Sequence, residues 1–174
     1  MPPASASPVT VDFMSRFTAS EQFDKVFKEG MGLVEETANY LDGPGRQDAR
    51  LLDRHGAVAY ATESMRLTTR LMQIASWLLL QRAMGAGEMS QDEVKKERNR
   101  ISLADIGRGK PLNGSEQLPP ALADIVERSL SLHQRVIKFD AMLNMQAKSE
   151  VAAPAPSPVS SQLDWLAAVF GARS

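Results

Sequence analysis

The segment from Ala57 to Ala83 constrains this chain more than any other. Val58, Ala61, Met65, Leu71, Met72, Ala75, Leu78 and Leu79 recur at helical spacing. Leu67 and Ile74 widen the apolar stripe, and Trp77 and Leu80 add to it. The pattern predicts one long helix, which Gly85-Ala86-Gly87 ends. A helix with more than one apolar face sits centrally in a bundle or shares a face with a partner chain.

Two further helices are expected to pack on it. Phe23, Val26, Phe27, Val34, Ala38 and Leu41 predict a helix over 20–41, with Thr18 and Glu21 at capping-box spacing. Asp42-Gly43-Pro44-Gly45-Arg46 stops it, with Gly43 suited to a left-handed residue after the helix. Gln47 to Arg54 reads as a short helical turn, weakened by His55-Gly56. Ser90 and Glu93 form a second capping box before the charged run 93–100, whose mixed signs suit a short solvated helix. Residues 101–118, with Gly107, Gly109, Pro111 and Gly114, read as a loop. Pro119-Pro120 suits the start of a third long helix. That helix carries Leu122, Ile125, Val126, Leu130, His133, Val136, Ile137 and Leu143 and runs to about residue 147. The expected fold is all-α: an antiparallel three-helix bundle over 18–148 with one short extra helix.

The ends are of another kind. Residues 1–17 open with Pro, Ala and Ser and predict a flexible arm. Residues 149–174 predict a disordered tail that begins with a Pro/Ala linker. Near its end Leu163, Leu166, Val169 and Phe170 fall on one helical face, with Trp165 beside it. So short a segment does not hold a helix alone in water. It is expected to dock, either on another protein or back on its own bundle, and we read it as a protein-binding segment.

Little in the chain suits catalysis. There is no cysteine among the 174 residues, which removes disulfides, thiolate metal sites and cysteine nucleophiles and suits a reducing compartment. His55 and His133 are the only histidines, and neither has a second His or a carboxylate three or four residues on. Glu35 and Glu36 are adjacent and point to different sides of a helix. Gly43-Pro44-Gly45-Arg46 lacks the phosphate-loop pattern, and Ile106-Gly107-Arg108-Gly109-Lys110 reads as an inter-helix loop before it reads as a phosphate site. Ser64, Thr68 and Thr69 have no general base at helical spacing and suit either close approach of helices or back-bonding to carbonyls one turn earlier. No enzyme activity, cofactor or metal is expected. A net charge of −1 argues against holding nucleic acid. Polar residues interrupt every apolar stretch before about 18 residues, so no membrane helix is expected. The N-terminus has no secretory pattern, which points to the cytoplasm. Arg66 and Arg70 share a helical face, with Glu63 three residues before Arg66. They read as an exposed stripe with one ion pair or as a docking surface for an acidic partner. With Trp77 they form a candidate protein-binding face.

Several runs carry a family likeness. Phe23 to Met31, Leu33 to Ala38, Tyr40-Leu41-Asp42-Gly43, Gly45-Arg46 and the long run from Glu63 to Ala83 resemble the alphaproteobacterial family named for the regulator of CtrA degradation. The resemblance is close across the first two long helices and looser beyond. It implies a three-helix bundle that dimerises and has a disordered C-terminus. It also implies an adaptor for the ClpXP protease that joins a ClpX primed by the protein CpdR and tethers cargo. With the cyclic di-GMP-binding protein PopA, such an adaptor helps deliver the cell-cycle regulator CtrA, and it could be concentrated with its partners at a cell pole. The family supplies no catalytic motif. A scaffold that only localises partners is the alternative reading.

Overall fold

A computed structural model describes residues 15–103 and 108–152. The chain divides into two units, Met1–Asp140 and Ala141–Ser174. Every regular element among the described residues is helical. The first long helix, α1, spans Glu21–Asp42. Its N-cap is Ser20, whose Oγ accepts the Phe23 N–H at 3.2 Å; Thr18, predicted for that role, bonds back to the Ser15 carbonyl instead. Glu21 and Asp24 lie in the first turn, where carboxylates favour the helix dipole. After it, α2 spans Pro44–Arg50, with proline at its first position.

The corner between these helices is tight. Gly43 has φ −117° and is not left-handed as predicted. The constrained glycine is Gly45, where a Cβ would lie 2.6 Å from the Tyr60 hydroxyl and 2.7 Å from the Tyr40 carbonyl oxygen. Tyr40 donates its hydroxyl to Asp48 Oδ2 at 2.9 Å. Burial first, and the Asp48 carboxylate second, push its pKa above the ordinary tyrosine value. This part of the family likeness therefore marks a packed corner.

The central helix α3 spans Arg54–Gly85. It starts earlier than the sequence suggests because Asp53 caps it, accepting the Gly56 N–H at 2.8 Å. His55 is exposed in its first turn. Its end is a Schellman arrangement: Glu88 N–H bonds the Ala83 carbonyl, Gly87 N–H bonds Met84, and Gly87 takes φ +70°. The charged helix α4, Gln91–Arg100, has the complete predicted capping box of Ser90 and Glu93. A 3₁₀ turn follows at Ser115–Gln117, and α5 runs over Pro120–Ala152. In the second unit, residues 141–152 are helical, with Met142 and Met145 exposed.

The three long helices α1, α3 and α5 form the predicted bundle around Phe23, Leu33, Leu67, Ile74, Trp77, Leu78, Leu122 and Leu132. Helix α1 runs antiparallel to both of the others. Its Gly30 meets Leu78 while its Thr37 and Leu41 line a groove with Leu71 and Thr68. Glu36 pairs with Arg128, and Glu29 with Arg135. Helices α3 and α5 run parallel, since Arg70 bonds Ser129 and Trp77 bonds Asp140. The connection between them must therefore return along the bundle. Residues 101–103 and 108–117 lie along it as a strap: Ile101 lies near Leu80, Lys110 at Arg66, and Gly114 against His55.

Gly114 has φ +87°, and a Cβ there would lie 2.5 Å from the His55 carbonyl carbon. Gly114→Ala should destabilise the protein by about 1–3 kcal/mol in urea titration. Gly32→Ala, where a Cβ meets nothing within 4 Å, should stabilise it by about 0.4–1 kcal/mol. The Gly56 N–H and the Gln117 amide hold the Asp53 carboxyl below the usual carboxylate range. That stabilisation is present above the unfolded-state pKa and is lost as pH falls through the lowered folded one. The urea midpoints of the wild type and Asp53→Asn should converge on acidification through that range.

Candidate protein-docking face

Helix α3 carries large apolar side chains that the bundle does not use. Val58, Met65, Met72 and Leu79 are all exposed, Met65 at 71% and Met72 at 66%. They are seven residues apart, so they lie on one row that drifts by about 20° per step. At 1.5 Å per residue the row runs for about 32 Å. Leu51, also exposed, continues the spacing just before the helix.

The flanks of this row are small and uncharged: Ala61, Thr62, Thr68, Thr69, Ser76 and Ala83. Thr68 and Ser76 turn their hydroxyls back to the Ser64 and Met72 carbonyls, both at 2.8 Å, as the sequence suggested for Thr68. The four charged residues of α3 between Val58 and Ala83 point elsewhere. Glu63 and Arg66 pair with each other at 2.7 Å. Arg70 is buried, and Arg82 stacks over the Phe27 ring at 4.1 Å. Helix α1 extends the apolar surface with Val34 and Leu41, which border a groove of about 310 Å³ beside Met72. On the other side of Met72 a second groove of about 470 Å³ is lined by Leu79, Leu80, Met89 and Ile101, with Glu97 and Arg100 of α4 as its charged border. An exposed apolar strip without charges, flanked by side chains that let another backbone approach closely, is what a helical partner packs against.

This face differs from the one read from the sequence. Trp77 and Arg70 are each 1% exposed and belong to the core. Trp77 Nε1 donates to Asp140 Oδ1 at 3.0 Å, and Arg98 of α4 donates to the same oxygen at 3.0 Å. Arg70 Nη1 donates to Ser129 Oγ at 2.7 Å. Burial holds the Arg70 pKa below the usual arginine value, a trend Glu63 opposes and Arg108 reinforces. Arg66 reaches the Lys110 carbonyl at 3.2 Å, and the strap backbone at Gly109 packs on its guanidinium. The three side chains thus hold α5 and the strap and are turned away from the exposed row. The signal that marks the exposed row, apolar residues at strict seven-residue spacing, is present in the sequence.

The tail residues Leu163, Trp165, Leu166, Val169 and Phe170 lie outside the described residues. His133 is buried, with Nε2 2.5 Å from the Leu103 carbonyl oxygen, and so serves the strap. Among the described residues, no cluster of three His, Cys, Asp or Glu side chains is placed to hold a metal. Among them too, no helix is long and apolar enough to cross a membrane.

Three comparisons bear on this arrangement. The family described as "Protein of unknown function (DUF1465)" matches residues 14–170. The crystal structure of RcdA from Caulobacter crescentus CB15 is similar at 46% sequence identity and a TM-score of 0.57, covering 74% of this chain and 96% of that one. No curated protein matches.

The two faces of α3 should respond oppositely to substitution. Met72→Lys should change folding stability by no more than about 0.5 kcal/mol. Trp77→Ala should cost about 3–5 kcal/mol. Urea titration followed by circular dichroism measures both, and equal losses would mean that the exposed row is packed after all.

Proposed function

The chain belongs to the DUF1465 family and is similar to RcdA, and from that premise we propose that it is a non-catalytic protease adaptor. It tethers cargo, CtrA among it, to a ClpXP protease primed by a CpdR-type protein, with a PopA-type cyclic di-GMP-binding protein as a further partner. The observation that carries this reading is the 46% identity over nearly the whole RcdA chain. The exposed face of α3 supports it, because an adaptor needs contact surfaces and no reacting groups. Two modest contacts on one scaffold raise the local concentration of cargo at the protease without any chemistry.

The row Val58, Met65, Met72 and Leu79 also suits self-association. Large residues on one line with Ala61, Thr68 and Ala75 beside them let a second copy of α3 pack closely, and a two-fold pair uses the same patch on both subunits. Methionines adapt to differently shaped surfaces, so cargo competes for the same face. The tail segment Leu163–Phe170 supplies a second contact on the same adaptor.

A reconstituted assay with ClpXP, the priming protein and CtrA tests the reading. The full chain should shorten the half-life of CtrA, and an unchanged half-life would favour the localising scaffold. Met65→Glu/Met72→Glu should be a folded monomer by light scattering and should lose cargo capture. A monomer that still captures cargo would separate the two surfaces. Removing residues 151–174 should leave the bundle folded and reduce delivery.

A further inference from the structure

Met65 and Met72 carry chemistry that packing alone does not use. With no cysteine in the chain, the methionine thioether is the side chain most open to two-electron oxidation. Exposure decides which sulfurs an oxidant reaches. In the first unit Met65 is 71% and Met72 66% exposed, whereas Met31, Met84 and Met89 are half-buried. Met142 and Met145, in the second unit, are exposed as well.

The two exposed sulfurs of α3 sit where a polar atom does most harm to packing. Seven residues apart, they are about 10 Å apart along the helix, in the middle of the row between Val58 and Leu79. Met72 also borders both grooves, the one with Val34 and Leu41 and the one with Leu79 and Met89. Oxidation turns a flexible apolar side chain into a polar one whose oxygen accepts hydrogen bonds. In the open that oxygen keeps its water, but under an apolar partner it loses it. Three of the donors around Met72 are already engaged: the Thr68 and Ser76 hydroxyls by helix carbonyls, and Arg100 by Glu97 at 3.0 Å.

We propose that Met65 and Met72 are an oxidation switch in the exposed row: a peroxide converts them to sulfoxides, and the row then no longer packs against a second copy. The inference rests on the self-association reading of that row. In the step, a sulfur lone pair attacks one oxygen of hydrogen peroxide. An S–O bond forms and the O–O bond breaks. The leaving oxygen takes the proton of the oxygen retained on sulfur and departs as water. Sulfur loses two electrons and the peroxide gains them. A sulfoxide reductase reverses the step, with two thiols leaving as a disulfide and the oxygen as water. Only an uncovered row exposes both sulfurs, so oxidation draws on the free chain and holds it there.

The test treats the full chain with millimolar hydrogen peroxide. Peptide mass spectrometry should show one oxygen gained at Met65 and at Met72 before Met31, Met84 or Met89 gains one. Light scattering over a dilution series should then give self-association about tenfold weaker or more, with the far-ultraviolet circular dichroism unchanged. Sulfoxide reductases for both epimers should restore the association. Met65→Leu/Met72→Leu keeps an apolar row of similar volume, and peroxide should leave its association, at whatever strength, unaffected. Met142→Leu/Met145→Leu should lose association on oxidation as the wild type does. Faster oxidation of the half-buried methionines, undiminished association once Met65 and Met72 are both oxidised, or a loss on oxidation in the Met65→Leu/Met72→Leu chain would overturn the switch alone. An untreated chain that stays monomeric at every concentration overturns the self-association reading, and the switch with it.

Discussion

Helices α3 and α5 point the same way, and the rest of the structure follows from that constraint. Parallel neighbours cannot be joined by a tight turn, so the chain must travel back along α3 before α5 begins. Helix α3 has 32 residues, which at 1.5 Å each is about 48 Å. The return is made by α4 and the strap, and it is tied down at four of its described residues. Arg98 bonds Asp140, His133 meets the Leu103 carbonyl, Arg66 takes the Lys110 carbonyl, and Gln117 reaches Asp53. Most of these ties use a charged or polar side chain of α3, α5 or α4. Two of them, at the Leu103 and Lys110 carbonyls, satisfy backbone groups of an irregular segment that has no ladder or helix to satisfy them.

Those ties decide which side of α3 is polar. Arg66, Arg70 and Trp77 lie within one narrow arc of the helix because all three serve the strap or α5. A buried guanidinium is costly unless hydrogen-bonded, and Ser129, whose own hydroxyl bonds the Val126 carbonyl, helps to meet that need. With Arg66 and Arg70 committed there and Arg82 stacked on Phe27 of α1, the opposite side is left with Val58, Met65, Met72, Leu79 and small residues between them. The uncharged exposed row and the buried polar arc are two consequences of one topology.

Much of this was legible residue by residue. The Ser90–Glu93 box, proline at the start of α5 and the glycine stop after α3 act through local hydrogen bonds and dihedral limits, so the sequence states them directly. Choosing between neighbouring apolar stripes was harder. In the second half of α1 the buried positions are Leu33, Thr37 and Tyr40, whereas Val34, Ala38 and Leu41 carry the more apolar pattern. Thr37 hides its hydroxyl on the Leu33 carbonyl at 2.7 Å and Tyr40 spends its own on Asp48, so both polar residues are compatible with burial. Periodicity cannot register such side-chain bonds. The arginines misled for the same reason: charge suggests solvent, but Arg70 and Arg66 find their partners more than forty residues away in sequence. The tail segment lies outside the described residues, and its reading rests on the helical spacing of Leu163, Leu166, Val169 and Phe170.

The apolar pattern of α1 and the surplus on α3 have one explanation. The stripe that looked like a core stripe on α1, Val34–Ala38–Leu41, borders the groove beside Met72. Two helices therefore present apolar residues outward along a shared line, while each keeps a separate buried face for the bundle. A monomer gains no stability from such residues in water and carries the solubility cost of a continuous apolar strip. That cost is removed when another surface covers the strip, and the adaptability of methionine permits more than one kind of cover. On the proposed adaptor reading, this is how a chain without catalytic groups acts: the bundle and its strap hold the strip rigid, and whatever covers it at a given moment determines what the chain delivers.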